Sequence, residues 1–164
     1  MGNYNELNNN KKYKVLCVCH GNICRSPMAE FIFRELASRC GRKDDFEISS
    51  AAVSYEEEGN GLFPPAGSAL TRHGIPFGRH RAHRITLEEA EAADLLVVMD
   101  DSNLRLLNRI IGKQSFSKSH KLLEFAGENA DVADPWYTGN FEKAYSDILR
   151  GCKALLENLC STDK

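Results

Sequence analysis

The chain lacks any long apolar run. No segment of its 164 residues approaches the ~18 consecutive apolar residues that a membrane helix needs. It also lacks charge of one sign. Its 21 Lys and Arg face 23 Asp and Glu, a net charge of -2, which argues against a nucleic-acid surface or a polybasic membrane patch. An apolar leader is missing too, because Met1–Lys12 is polar and Asn-rich. Residues 1–12 are expected to form a flexible tail with no export signal. Met1-Gly2 opens like a myristoylation site, but Glu6 stands where Ser or Thr is required. Cysteines 17, 19, 24, 40, 152 and 160 show neither a dense disulfide framework nor paired zinc spacing. A reduced, cytoplasmic setting without metal or cofactor is the expectation. Apolar residues make up 42% of the chain, enough to build a core, and the length suits one domain over 13–160.

Along the chain, short apolar runs alternate with helical patterns. Tyr13–Val18 reads as a buried strand, Phe46–Ala52 as a second and Asp94–Met99 as a third. Lys121–Phe125 is a weaker fourth. After the first strand, Ser26 can cap a helix with Pro27 at its first position. Met28, Phe31, Ile32 and Leu36 line one face, and Gly41 marks the stop. Gly59–Pro65 reads as loop and Ala66–His73 as helix. Thr86-Leu87-Glu88-Glu89 has the form of a capping box, and Ser102 can cap a helix carrying Leu104, Leu107 and Ile111. Gly127–Gly139 is a long loop. Phe141–Leu159 is the clearest helix, with Phe141, Ala144, Tyr145, Ile148, Cys152, Leu155 and Leu159 in one stripe. The alternation predicts an α/β fold, a three-layer αβα open sheet of about four parallel strands in a doubly wound, flavodoxin-like order. Ligands in such sheets bind beyond the carboxyl ends of the strands, where the run Cys19-His20-Gly21-Asn22-Ile23-Cys24-Arg25-Ser26-Pro27 falls.

That run has the chemistry of an oxyanion-binding nucleophile. A cysteine sits six residues before an arginine, on a tight loop between strand and helix. Loop amides and the helix N-terminus direct positive partial charge at one spot, where a thiolate and a phosphate group would sit. Arg25 adds a planar fork of donors for phosphate oxygens. Without an anion, the positive end of a helix is a poor place for a cation. Gly21 and Asn22 tolerate the left-handed backbone that a ring of amides needs.

Cys-x5-Arg-Ser-Pro near the N-terminus resembles the low-molecular-weight protein tyrosine phosphatases. Asp134-Pro135-Trp136-Tyr137 is similar to that family's acid-bearing loop. Ser50-Ala51-Ala52, Glu57-x-Gly59-Asn60, Arg72-His73-Gly74-Ile75-Pro76 and Met99-Asp100-Asp101-Ser102-Asn103 fit in the right order. The resemblance spans roughly Tyr13 to Leu159. It implies hydrolysis of phosphotyrosine and small aryl phosphates through a cysteinyl-phosphate on Cys19. Arg25 would clamp the phosphate, and Asp134 would act as general acid and then general base. It further implies that His20, Gly21, Asn22, Ile23, Cys24, Trp136 and Tyr137 bind substrate, while Ser26, Ser50, His73 and Asp100 support the site, Ser50 as a partner of Asn22. Expected partners are phosphotyrosine proteins or peptides, with inorganic phosphate as product and inhibitor, acting on a monomer.

Each assignment has a plainer competitor. Asp134-Pro135 is a common turn dipeptide. Trp136 and Tyr137 are either a wall for a phenyl ring or anchors for their loop. Cys24 is either a redox partner for Cys19 or a small loop filler. Ser26 either meets the Cys19 thiolate or only caps its helix. Cys17, inside the strand run, reads as core. The run Arg79-His80-Arg81-Ala82-His83-Arg84 is a solvated face or a docking patch for acidic phosphopeptides. Two positions depart from the family. His20 stands where the loop is usually apolar, and Glu56 where animal members often carry Tyr or Trp, with Tyr55 one step earlier. Arsenate reduction on the same fold would require resolving cysteines, and none lies between Cys40 and Cys152. Phosphoarginine hydrolysis would favour Thr where Ile23 stands. A phosphotyrosine-binding or redox-sensing module would not require nucleophile, arginine and acid together.

Overall fold

The computed structural model describes residues 11–161. The tail expected over 1–12 therefore lies outside the described residues, apart from Lys11 and Lys12. Strands β1 (Tyr13–Cys19), β2 (Phe46–Ala52), β3 (Leu95–Val98) and β4 (Ser119–Lys121) form one sheet in the order β2-β1-β3-β4. All neighbouring pairs are parallel, as the α/β alternation predicts. Strand β1 is central, with Cys19 opposite Ala52 and Val18 opposite Val98. The loop after β1 opens where the strand order reverses, between β2 on one side and β3 on the other.

The helices are α1 (Arg25–Arg39), α2 (Pro64–Arg72), α3 (Leu87–Ala92), α4 (Asp101–Ile110), α5 (Lys113–Phe116), α6 (Pro135–Thr138) and α7 (Phe141–Ser161). Side chains alternate across the sheet and divide the core. Val15, Cys17 and Cys19 join Ile48, Leu95 and Val97 beneath Met28 and Ile32 of α1, Leu70 of α2, and Ile148 and Leu155 of α7. Leu16, Val18, Leu96 and Val98 face the other way, onto Ala90 of α3 and Leu107 of α4. Both faces of the sheet are thus covered, which is why β1 and β3 are nearly continuous apolar runs.

Several element ends differ from the sequence reading. Helix α1 begins at Arg25, so Ser26 and Pro27 lie inside its first turn and Ser26 does not cap it. The N-cap is Cys24, and no side chain caps there. Helix α4 is capped by Asp100, not Ser102: Asp100 Oδ1 accepts from the Asn103 amide at 2.7 Å. Helix α2 starts two residues early, on the favoured first-turn prolines Pro64 and Pro65. The capping box at Thr86 forms with both reciprocal bonds to Glu89. The fourth strand lies earlier than Lys121–Phe125. Leu122–Ala126 is a 3-10 turn that sends both Leu122 and Leu123 into the same core layer, whereas a strand would send neighbours to opposite faces of the sheet. The long loop of 127–139 holds the short helix α6, capped by Asp134 and ended by Gly139 at φ 71°.

Candidate active site

The loop between β1 and α1 turns its carbonyls outward. The Cys19 carbonyl accepts from Val53 N at 3.0 Å, and the Ile23 carbonyl from Phe63 N at 2.9 Å. The Cys24 carbonyl accepts from Met28 N, that of His20 from Ser54 Oγ at 2.9 Å, and that of Asn22 from His80 Nε2 at 2.6 Å. With these acceptors satisfied behind the loop, the amides face its hollow. One of them, Asn22 N, reaches the Cys19 sulfur at 3.3 Å. The uncapped start of α1 adds its own free donors. The result is a cradle for an anion around Cys19.

Asn22 holds this shape. It has φ 60°, the left-handed region, and is fully buried. Its side-chain amide donates to Ser26 Oγ at 2.8 Å and to Ser50 Oγ at 3.0 Å. Its Oδ1 accepts from the His83 amide at 3.3 Å. Ser50 in turn donates to Glu30 Oε1 at 2.7 Å. Ser26 Oγ lies 3.0 Å from the Cys19 sulfur. The serine expected to cap the helix therefore spends its hydroxyl on the thiol and on Asn22.

Arg25 is almost wholly buried, at 2% exposure. Its Nη1 donates to Asp100 Oδ2 at 2.6 Å and to the Val132 carbonyl at 2.8 Å, while Nη2 donates to Asp134 Oδ2 at 3.3 Å. Burial alone would weaken its charge. The negative groups Cys19, Asp134 and Asp100 outweigh burial and hold Arg25 above its ordinary pKa. Asp134 also accepts from the Trp136 amide through Oδ1, at 3.1 Å, so its carboxyl is aimed by the first turn of α6.

These groups surround one cleft of about 430 Å³, counting its open mouth. It is lined by Cys19, His20, Gly21, Ile23, Cys24, Arg25, Asp134, Trp136 and Tyr137, together with Glu56 and Glu57. Asn22, Ser26 and Ser50 stand behind the loop, and Asp100 behind Arg25. Trp136 is half exposed and packs on Phe63, with ring centroids 4.9 Å apart; Tyr137 is 82% exposed. His73 is not brought to the cleft. It ends α2, stacks on Tyr145 with centroids 3.8 Å apart, and bonds Glu142 Oε2 at 2.7 Å, joining α2 to α7. Cys24 is a free thiol whose pKa is pushed up to about 12, first by burial and then by the charge of Cys19. Cys17 and Cys152 lie in the core, where burial pushes both thiols well up.

Sequence reasoning placed three contributors elsewhere. In the run read as a solvated basic face, the His80 ring turns inward onto the Asn22 carbonyl and the His83 backbone amide donates to Asn22 Oδ1, while the His83 ring pairs with Glu89 and Arg79 and Arg81 stay exposed. The available signal was Ala82, a buried apolar residue inside the run, which shares the inward side with His80 where the segment runs beside β2 and Arg84 bridges Ala52. Glu57 lines the mouth, and its side chain lies against Gly21, where a Cβ would meet Glu57 Cγ at 3.2 Å. His20 Nε2 pairs with Glu56 Oε2 at 3.0 Å across the rim, so the two departures from the family pattern meet each other.

Comparison with known proteins identifies the family. Residues 14–164 match the family model described as low molecular weight phosphotyrosine protein phosphatase. The chain is 37% identical over 147 residues to the low molecular weight protein-tyrosine-phosphatase YfkJ of Bacillus subtilis, covering 88% of this chain and 94% of that protein. It is 39% identical over 150 residues to the human low molecular weight phosphotyrosine protein phosphatase, covering 87% and 93%. The crystal structure of YfkJ matches with a TM-score of 0.89 at 35% identity, over 94% of this chain and 98% of that one. With the cradle, the buried arginine and the facing aspartate on one cleft, the chain belongs to the low molecular weight phosphotyrosine protein phosphatase family, hydrolases of phosphomonoesters.

Proposed function

We propose that this protein hydrolyses phosphotyrosine in proteins and peptides, and small aryl phosphates, by double displacement on Cys19. The observation that carries the reading is the convergence on one cleft of Cys19 and Arg25, at the two ends of the nucleophile loop, with Asp134 from a segment more than 100 residues away. The Cys19 thiolate attacks phosphorus in line with the phenolic oxygen. The S–P bond forms as the P–O bond breaks, and Asp134 donates a proton to the departing phenolate oxygen. Water then attacks the cysteinyl-phosphate, losing a proton to the Asp134 carboxylate. Inorganic phosphate leaves and the thiolate is regenerated. The equatorial oxygens, which carry charge in a loose transition state, are held by the loop amides and the Arg25 fork.

The contact between Arg25 Nη2 and Asp134 Oδ2 has a place in this cycle. A bound phosphate competes for the same guanidinium donor and frees Asp134 to face the leaving group. Ile23, Trp136 and Tyr137 supply flat and apolar surface for a phenyl ring. Ser26 donates to the thiolate when Cys19 is the leaving group. Cys24 lies on the same cleft and takes a redox role. A peroxide oxidises Cys19 to the sulfenic acid, and Cys24 condenses with it to a disulfide, releasing water. The proposal includes a monomer in a reduced, cytoplasmic setting, inhibited by its phosphate product.

The test is steady-state hydrolysis of para-nitrophenyl phosphate near pH 6 with EDTA present. Cys19→Ser is expected to abolish turnover, and Asp134→Ala to cut it by roughly 10²–10⁴-fold. A folded wild type that binds phosphate without turnover would overturn the enzymatic reading in favour of a binding module.

A further inference from the structure

Two buried cations hold the loops at the carboxyl ends of the strands, and each pairs with two carboxylates. Arg25 takes Asp100 and Asp134. Lys121, the last residue of β4, takes Asp101 Oδ1 at 3.1 Å and Asp131 Oδ1 at 3.0 Å, with its own side chain only 5% exposed. The mechanism above uses the first set and leaves the second without a task.

The second set grips the acid loop. Asp131 Oδ1 accepts from Lys121 Nζ and also from the Asp101 amide, at 3.2 Å, at the start of α4. The next residue, Val132, is fully buried. Its N–H donates to the Met99 carbonyl at 2.9 Å, and its carbonyl accepts from Arg25 Nη1 at 2.8 Å. Asp134 follows two residues later. The height of the loop above the sheet is therefore fixed three residues before the acid, through Asp131, by the end of a strand. Without Lys121, the Asp101 and Asp131 carboxylates would lose the cation they share, and Asp131 would be held by the Asp101 amide alone.

We propose that Lys121 is a positioning residue for Asp134, acting through Asp131; the inference rests on the acid role given to Asp134 above. Its deletion should hurt most where the leaving group most needs a proton. Lys121→Met keeps the apolar stem and removes the cation.

The experiment compares kcat/KM for phenyl phosphate, whose phenol leaves reluctantly, with that for para-nitrophenyl phosphate, whose phenol is more acidic. Lys121→Met is expected to lose about 10-fold or more on phenyl phosphate and less than about 3-fold on para-nitrophenyl phosphate, a fraction of the general-acid effect. Inhibition by inorganic phosphate should not change, because the nucleophile loop is untouched. Lys121→Arg should restore most of the loss, and Lys121→Met should cost nothing further in an Asp134→Ala background. Equal loss on both esters, no loss in a folded variant, or full loss in the Asp134→Ala background would each overturn the proposal. Should Lys121→Met not fold, Asp131→Ala, which removes the acceptor at the half-exposed end of the bridge, must show the same split, and its absence would be equally decisive. A wild type inert toward both esters would overturn the functional reading itself and this inference with it.

Discussion

Arg25 Nη1 and Asp100 Oδ2 lie 2.6 Å apart, joining the first turn of α1 to the N-cap of α4. The carboxylate does two jobs, since its other oxygen caps α4 through the Asn103 amide. Asp100→Ala is expected to destabilise the protein by on the order of 3 kcal/mol, because it leaves Arg25 short of charge and removes a helix cap. Asp100→Asn keeps an acceptor for the cap and should lose less. Urea denaturation of the two variants separates the cap from the charge.

Asn22 combines a left-handed backbone with side-chain bonds to Ser26, Ser50 and the His83 amide. Asn22→Gly loses the bonds but adopts φ 60° freely, whereas Asn22→Ala loses the bonds and adds backbone strain. The alanine variant should be less stable than the glycine variant by about 1 kcal/mol. Both should lower kcat/KM on aryl phosphates, since Ser26 is no longer aimed at Cys19. Equal stability of the two would argue that the loop relaxes out of the left-handed region.

Gly151 sits in the interior of α7, where helix propensity alone favours alanine by about 1 kcal/mol. The packing reverses the sign. A Cβ at Gly151 would lie 2.5 Å from Leu122 Cγ, the branch point of a side chain that is itself buried in the core. Gly151→Ala should therefore destabilise, by about 1–3 kcal/mol as overpacked cores do. A thermal melt that rises instead would refute this.

Glu142 joins α7 to the end of α2 through His73 and Arg72. First the His73 bond and then the Arg72 bond hold its carboxyl below the ordinary glutamate range. A depressed carboxyl pKa contributes stability that is present above the unfolded value of about 4.3 and is lost as pH falls through the folded one. Glu142→Gln should lower the urea midpoint at pH 5.5, and the gap to wild type should close as the pH drops below about 4. The pair is exposed, so added salt should narrow the gap at pH 5.5 as well.

The α/β class and the position of the nucleophile loop were legible because both rest on local patterns. Apolar runs alternate with helical stripes, and Cys19 through Arg25 are contiguous. The ends of elements were less legible where one residue could serve two partners. Ser26 looks like a cap in one dimension, but Cys19 and Asn22 claim its hydroxyl in three. Ser102 looks like a cap until Asp100, already turned toward Arg25, takes the position. Lys121–Phe125 looks like a strand because Leu122 and Leu123 are adjacent and apolar, yet both bury together beneath α7.

By itself the sequence determined the order of elements, the anion cradle after the first strand and the separate acid-bearing segment, since each is written in neighbouring residues and their backbone preferences. Only the tertiary structure decided which distant carboxylates meet which cation. Asp100, Asp134 and the Val132 carbonyl converge on Arg25 across more than 70 residues of chain, and Asp101 and Asp131 converge on Lys121. Such pairings carry no periodicity along the chain. They arise because parallel strands bring their carboxyl ends to one edge of the sheet, where a buried charge must find whatever opposite charge the loops deliver.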